Sequence, residues 1–177
     1  MISNPEVFLL LSLSIVSFGI AEIVPSALNS TLAQQEERFI AMLKGSEVSP
    51  PVNTDATGEA EFILHREQHL RLFYNVSING IDSNSNNVTG IHLHNGISGF
   101  NGTVIAELPI IQEHERNGIL AVGNLNGSSN FSNELSGKGK FAISSLINYI
   151  DNDRAYLDIH TTDHPNGELR GQVSRLP

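Results

Sequence analysis

The sequence contains no cysteine and no tryptophan, and only 6% of its 177 residues are aromatic. Without cysteine the chain can form no disulfide, no thiolate metal site and no cysteine nucleophile. Basic residues are also scarce, with 10 Lys and Arg against 19 Asp and Glu and a formal net charge of −9. Because binding to a nucleic-acid backbone requires a basic surface, we exclude a nucleic-acid partner. Aliphatic residues keep the hydrophobic share at 40%, which suffices for the core of one domain.

The first 33 residues differ in composition from the rest of the chain. Residues 7–21 form an apolar run without a charge, shorter than the roughly 20 residues of a membrane-spanning helix. The run is typical of a secretory signal peptide, with small residues at two cleavage options, although no Lys or Arg precedes it. We predict a signal peptide or an N-terminal anchor plus linker over residues 1–33. A membrane contact is expected only through this segment, if it is retained.

Asparagine sequons agree with export. Six N-x-S/T sequons occur, where composition alone would give two or three. We expect a secreted or cell-surface protein whose candidate glycosylation sites in the mature chain are Asn75, Asn87, Asn101, Asn126 and Asn130.

Beyond residue 36 apolar and polar residues alternate, which predicts short half-buried strands. Asn-Gly pairs, which favour tight turns, occur six times between the apolar runs. The predicted strands cover 39–44, 59–64, 69–78, 88–94, 103–111, 119–126, 154–161 and 168–175. Helical spacing of apolar residues over 141–150 predicts one short helix. This pattern indicates an all-β fold, an antiparallel sandwich or barrel with a helix near 142–150.

A pair of histidines on one predicted strand is the first candidate site. Alternate residues of a strand point to the same side, so His92 and His94 project together while Ile91 and Leu93 face the core. Two imidazoles on a rigid strand can form half of a metal site. Alternatively, they hydrogen-bond beside a turn without binding a metal.

A later strand offers further donors. Tyr156, Asp158 and His160 share the face opposite to the apolar one, so His160 becomes a third ligand if the two strands are neighbours. Asp158 is a candidate to orient an imidazole from outside the ligand set. We expect His164 to be exposed in the following turn, along with His65, His69 and His114. For Glu168 and Arg170, two residues apart, we predict a structural ion pair.

Several motifs occur in the order found in the CHRD (chordin) domain family, and the chain resembles that family over residues 37–175. The matching segments are FIAMLKGSEVSPPV at 39–52, TGEAEF at 57–62, IHLHNGISGFNGTV at 91–104, AYLDIHT at 155–161 and PNGELRGQV at 165–173. The sequence departs from the family through the inserted Ser49 and a long polar segment at 81–87. The resemblance implies an immunoglobulin-like β-sandwich. In animal chordin, copies of the domain belong to an extracellular antagonist of bone morphogenetic proteins, whose partners are not transferred to this chain.

A second, local resemblance concerns the histidine strands. The segments around His92 and His94 and around His160 are similar to the copper-ligand strands of Cu/Zn superoxide dismutase. The resemblance implies that these three histidines bind copper or zinc in a superoxide-dismutase-like sandwich. The bridging histidine and both cysteines of that enzyme have no counterpart, which disfavours a complete dinuclear site.

Three hypotheses for function follow. The leading one is an exported, non-enzymatic CHRD module of the cell surface or extracellular space, with a metal, copper or zinc, bound through three histidines. The second is a copper-dependent redox enzyme with a reduced dismutase-like site. The third is adhesion or matrix interaction without a metal. In each case the partner is an extracellular protein or surface component that the sequence does not identify.

Overall fold

A computed structural model of the protein describes residues 36–66, 69–81, 88–111, 118–129, 131–132 and 140–177. The predicted leader at 1–33 lies outside these ranges, as do His114, Asn87 and Asn130, so the predictions on them stay predictions.

The described residues form strands joined by short connections and one α-helix. The strands are β1 (Glu37–Lys44), β2 (Thr57–His65), β3 (Arg71–Asn79), β4 (Val88–Asn95), β5 (Thr103–Glu107), β6 (Gly118–Leu125), β7 (Ala155–Thr161), β8 (Leu169–Gln172) and β9 (Ser174–Arg175). The helix, α1, spans Lys140–Asp151, and a single 3-10 turn follows β1 at Gly45–Glu47.

Strand pairing joins these strands into one sheet in the order β5-β4-β7-β8-β1-β2-β3-β6, with β9 beside β1. Every described pair is antiparallel. Side chains from β4 and from β3, which are far apart in this order, belong to the same hydrophobic cluster. The sheet therefore curls around one core, which gives a sandwich-like arrangement. The prediction of an all-β antiparallel fold is confirmed.

The core is built mainly from aliphatic side chains, as the scarcity of aromatics predicts. Burying each such side chain stabilises the fold by about 1.5–3 kcal/mol relative to exposure. The largest fully buried residues are Tyr156, Phe39, Phe62, Leu43, Leu64, Leu72, Ile91, Leu93, Ile105, Leu108 and Leu120.

The helix α1 covers part of this core. Its apolar residues Ile143, Leu146, Ile147 and Ile150 are all buried and belong to the main cluster. Their spacing places them on one helical face, which is the pattern from which the helix is predicted. Among the described helices, none has the length and apolar character needed to cross a membrane.

Candidate metal centre

Strands β4 and β7 carry the candidate site as neighbours in the sheet. Their register places His92 opposite Asp158, Gly90 opposite His160 and His94 opposite Tyr156. On the other face of the same two strands, the side chains of Ile91, Leu93, Leu157 and Ile159 are fully buried. Because these apolar side chains fix both strands to the core, the polar face is held on a rigid support.

This pairing brings the predicted residues together. One donor atom from each of His92, His94, Asp158 and His160 lies within 4.8 Å of the corresponding atoms of the others. The ring centroids of His92 and His160 are 4.7 Å apart, and those of His92 and His94 are 5.9 Å apart. His94 and Asp158 are buried, whereas His92 and His160 are half-buried. The cluster is therefore open to solvent on the side of His92 and His160.

Two backbone carbonyls orient two of the imidazoles. Nδ1 of His94 lies 3.0 Å from the carbonyl oxygen of Gly102, and Nδ1 of His160 lies 2.9 Å from that of Pro165. A carbonyl only accepts, so each Nδ1 carries the proton and donates it. In both rings Nε2 is then directed into the cluster. A histidine that binds a metal has its second ring nitrogen held in this manner.

The carboxylate of Asp158 lies inside the cluster. Its Oδ1 is 3.1 Å from Nε2 of His94 and 3.1 Å from Nε2 of His160. The sequence predicts that Asp158 orients an imidazole, and its Oδ1 accepts a hydrogen bond from Nε2 of His160, while the carbonyls of Gly102 and Pro165 hold Nδ1 of His94 and of His160. Asp158 faces the same nitrogens that would bind an ion, so its carboxylate would be the fourth donor to such an ion.

One buried nitrogen of the cluster has no hydrogen bond within the described part of the chain. Nε2 of His94 is buried and, within the described part of the chain, no partner meets it with hydrogen-bond geometry, although Asp158 Oδ1 is close. A buried polar atom without a partner costs about 1–3 kcal/mol. Such an atom requires an explanation, and an ion at the centre of the cluster would satisfy it.

Burial and mutual interactions shift the pKa values of three groups in the cluster, His92, Asp158 and His160. Burial lowers the pKa of His92, and the nearby His160 lowers it further. The hydrogen bond with Asp158 raises the pKa of His160, against the effect of burial. Burial alone would raise the pKa of Asp158, but the imidazoles of His160 and His94 outweigh it and lower that pKa. The cluster thus favours an ionised carboxylate beside a readily protonated His160.

The spacing of the donors allows an ion after small adjustments. A tetrahedral ion bound at about 2.0–2.1 Å by each of four donors separates those donors by about 3.4 Å. The distances from Asp158 Oδ1 to Nε2 of His94 and of His160, both 3.1 Å, are near this value, and all four donor atoms lie within 4.8 Å of one another. Small movements of the half-buried rings of His92 and His160 would close the set. The donors, three imidazoles and one carboxylate, suit zinc or copper.

Comparison with known proteins agrees with the order of the motifs in the sequence. The model of the CHRD domain family matches residues 39–173. The chain belongs to the CHRD domain family. Chordin from Xenopus laevis is 28% identical to it over 146 residues, which cover 82% of this chain and 14% of chordin. Chordin from Danio rerio is 27% identical over 131 residues, covering 74% of this chain and 12% of chordin. The chain thus spans only 14% and 12% of the length of these two relatives, and no solved structure matches it.

Other histidines of this CHRD domain lie away from the centre. His65 packs its ring against Phe73 at 4.8 Å, His69 is exposed, and His164 is half-buried in the turn after β7. Among the described residues that could form a metal cluster, none of these three is included.

The predicted ion pair between Glu168 and Arg170 is not formed. Both side chains are buried, and no ion pair among the described residues joins them. The carboxylate of Glu168 instead accepts hydrogen bonds from the hydroxyls of Thr54 at 2.9 Å and Thr161 at 2.7 Å. Arg170 donates to the loop that connects β4 with β5. The two side chains therefore bind different segments, which spacing within one strand does not reveal.

The candidate glycosylation sites differ in their surroundings. Asn75 is exposed on β3. The amide nitrogen of Asn101 donates to the carbonyl of Ser49 at 2.9 Å, and the side chain of Asn126 accepts from the backbone N–H of Ser128 at 2.8 Å. Glycosylation of these residues stays a prediction.

Sequence patterns did not reveal the groups that support the imidazoles. The carbonyls of Gly102 and Pro165 carry no side-chain signal, although both residues lie in the family motifs. Gly90 is the third supporting residue. A Cβ at that position would lie 3.0 Å from Nε2 of His92, so the glycine makes room for the ring.

Proposed function

We propose that this CHRD domain is an exported module that binds one zinc or copper ion through His92, His94 and His160, with Asp158 as the fourth donor. The observation that carries the proposal is Nε2 of His94, a buried nitrogen with no hydrogen-bond partner among the described residues. It faces the other three donors while its Nδ1 is held by a carbonyl. That combination suits a ligand atom better than a hydrogen-bonding histidine.

The role of the ion would be structural. Four protein donors complete a tetrahedral shell and leave no position for a substrate, which is the arrangement of structural rather than catalytic zinc. The ion would join β4 to β7, and through the carbonyls of Gly102 and Pro165 it would also fix the loops that follow both strands. A catalytic redox site would need an open coordination position, whereas Asp158 Oδ1, which lies 3.1 Å from Nε2 of both His94 and His160, would take the fourth position.

The proposed location is the cell surface or the extracellular space. The apolar run at residues 7–21 supports export, and so does similarity to chordin over most of this chain. A protein or surface component outside the cell is the partner class that fits such a module. The net charge of −9 favours the approach of a cation and disfavours an anionic partner.

The direct test is metal titration of the whole chain. We expect one zinc or copper ion per chain, measured by competition with a chromophoric chelator. In a His92→Ala, His160→Ala double variant we expect the affinity to fall by about 100-fold or more, because two of four ligands are lost. A His65→Ala, His69→Ala double variant also removes two imidazoles, but outside the cluster, and should bind the ion as the wild type does.

Two results would contradict the proposal. One is equal metal content in the wild type and the His92→Ala, His160→Ala variant. The other is superoxide dismutation by the copper-loaded chain above that of the same variant, which would favour an open, catalytic site over the structural one.

A further inference from the structure

A stack of three side chains lies behind the metal centre. The rings of His94 and Tyr156 are stacked, with centroids 4.7 Å apart and planes 10° from parallel. On Tyr156 lies the guanidinium of Arg170, with its central carbon 3.5 Å from the ring centroid. His94 therefore packs against a fixed plane, and a buried cation supports that plane.

The same two residues hold the loop that orients His94. Nη2 of Arg170 donates to the carbonyls of Ile97 at 2.9 Å and Phe100 at 3.0 Å. The backbone N–H of Gly102 donates to the hydroxyl of Tyr156 at 3.0 Å, and the carbonyl of Gly102 accepts from Nδ1 of His94. Arg170 and Tyr156 thus act on His94 twice, directly through the stack and indirectly through the loop.

Close packing of the loop depends on two glycines. A Cβ at Gly102 would lie 1.8 Å from the carbonyl oxygen of Asn95, and one at Gly96 would lie 2.9 Å from the ring of Tyr156. Both contacts are shorter than real Cβ atoms make. The loop therefore lies directly against Tyr156, which brings the Gly102 carbonyl within reach of His94.

The burial of Arg170 needs a reason. Its exposed fraction is 3%, and among the ion pairs of the described residues none includes it. A buried guanidinium without a carboxylate is rare because desolvation of the charge is costly. Here carbonyl oxygens and the Tyr156 ring satisfy the charge.

We propose that Arg170 and Tyr156 are positioning residues of the metal centre: they fix the Gly102 carbonyl and the His94 ring so that His94 presents an unprotonated Nε2. This inference rests on the proposed metal-binding function and adds residues that would not touch the ion. A lysine at position 170 would not replace the arginine, because an ammonium group is neither planar nor a fork of donors.

The test begins with the metal-free protein, where no ion influences the result. Because Nδ1 of His94 lies 3.0 Å from the carbonyl oxygen of Gly102, two-bond proton–nitrogen NMR spectra of the whole chain should show His94 as the Nδ1–H tautomer. In Tyr156→Phe, which keeps the ring and removes the hydroxyl, and in Arg170→Met we expect a mixture of tautomers. In both variants the zinc Kd should rise by about 10-fold or more, and Arg170→Lys should not restore it.

Matched controls separate positioning from general stability. Tyr74→Phe removes the hydroxyl of a buried tyrosine on β3, and Arg175→Met removes a guanidinium that also lies over an aromatic ring. Neither should change the His94 tautomer or the zinc Kd. If Arg170→Met does not fold, the milder Tyr156→Phe carries the test.

The outcomes for the two proposals are distinguishable. A folded Tyr156→Phe with an unchanged His94 tautomer and an unchanged zinc Kd would overturn the positioning role while leaving the metal centre intact. A wild type that binds no zinc would overturn the proposed function. The tautomer measurement on the metal-free variants would still decide whether Arg170 and Tyr156 position His94.

Discussion

At the scale of single residues, the contact between His160 and Asp158 determines which proton a metal ion must displace. Nδ1 of His160 faces the carbonyl of Pro165, and its Nε2 lies 3.1 Å from Asp158 Oδ1. A carbonyl and a carboxylate only accept, so both ring nitrogens of His160 carry protons in this arrangement. The raised pKa of His160, caused chiefly by Asp158, agrees with this protonation.

We therefore predict that metal binding releases a proton from His160 near neutral pH. Calorimetric titration of zinc in two buffers with different ionisation enthalpies should give different apparent binding enthalpies, corresponding to about one proton per ion. The apparent affinity should rise with pH until the raised pKa of His160 is passed. In an Asp158→Asn variant the imidazolium of His160 loses its carboxylate partner, so zinc binding should release fewer protons. Identical binding enthalpies in both buffers would contradict the prediction.

At the scale of secondary-structure elements, Arg175 joins three segments. From β9 it donates to Asp151, the last residue of α1, with Nη2 2.7 Å from Oδ1. It also contacts the carboxylate of Glu37 on β1 and lies over the ring of Phe39, with its central carbon 4.8 Å from the centroid. The hydrogen bond from Arg66 and that from Arg175 lower the pKa of Glu37, although burial opposes them.

We predict that Arg175→Ala lowers the free energy of unfolding by about 0.5–1 kcal/mol at neutral pH, the range of a half-exposed ion pair after solvent screening. Because the pKa of Glu37 is lower in the folded state, its stabilising effect is present above its unfolded pKa of about 4.3. It is lost as the pH falls through the folded pKa. Chemical denaturation at several pH values measures the difference between variant and wild type.

The control for this prediction is Arg38→Ala, which removes an exposed arginine whose ion pair among the described residues is with the exposed Glu36. That substitution should change the stability by about 0.2 kcal/mol or less. If the cost of Arg175→Ala did not decrease in acid, the pairing with Glu37 would not be its cause.

The elements themselves were largely predictable, but their ends and partners were not. The alternation of apolar and polar residues predicted β1, β2 and β3, and the helical spacing of apolar residues predicted α1. The predicted strand at 103–111 ends at Glu107, because the chain then leaves the pairing with β4, and the strand at 168–175 is divided into β8 and β9 at the buried Val173. Strand ends depend on contacts with distant segments, and local alternation contains no information on these.

At the scale of the whole molecule, the curled sheet creates the site by pairing β4 with β7, whose sequences are separated by about 60 residues. Alternation predicted which face of each strand the histidines occupy, and together with the local similarity to the dismutase copper strands it predicted which three histidines to consider. The central position of Asp158 and the roles of Tyr156 and Arg170 arise from register and from the path of a loop. Register and the path of a loop depend on the complete fold. For this reason the spacing within one strand led to a wrong prediction, an ion pair between Arg170 and Glu168.

The most direct test of the central claim is X-ray absorption spectroscopy of the whole chain loaded with one equivalent of zinc. We predict three imidazole nitrogens at about 2.0 Å and one oxygen at about 2.0–2.2 Å from the ion. The imidazole scattering should be lost in the His92→Ala, His160→Ala variant. A shell of five or six oxygens without imidazole scattering, or a spectrum unchanged in that variant, would contradict a metal centre formed by β4 and β7.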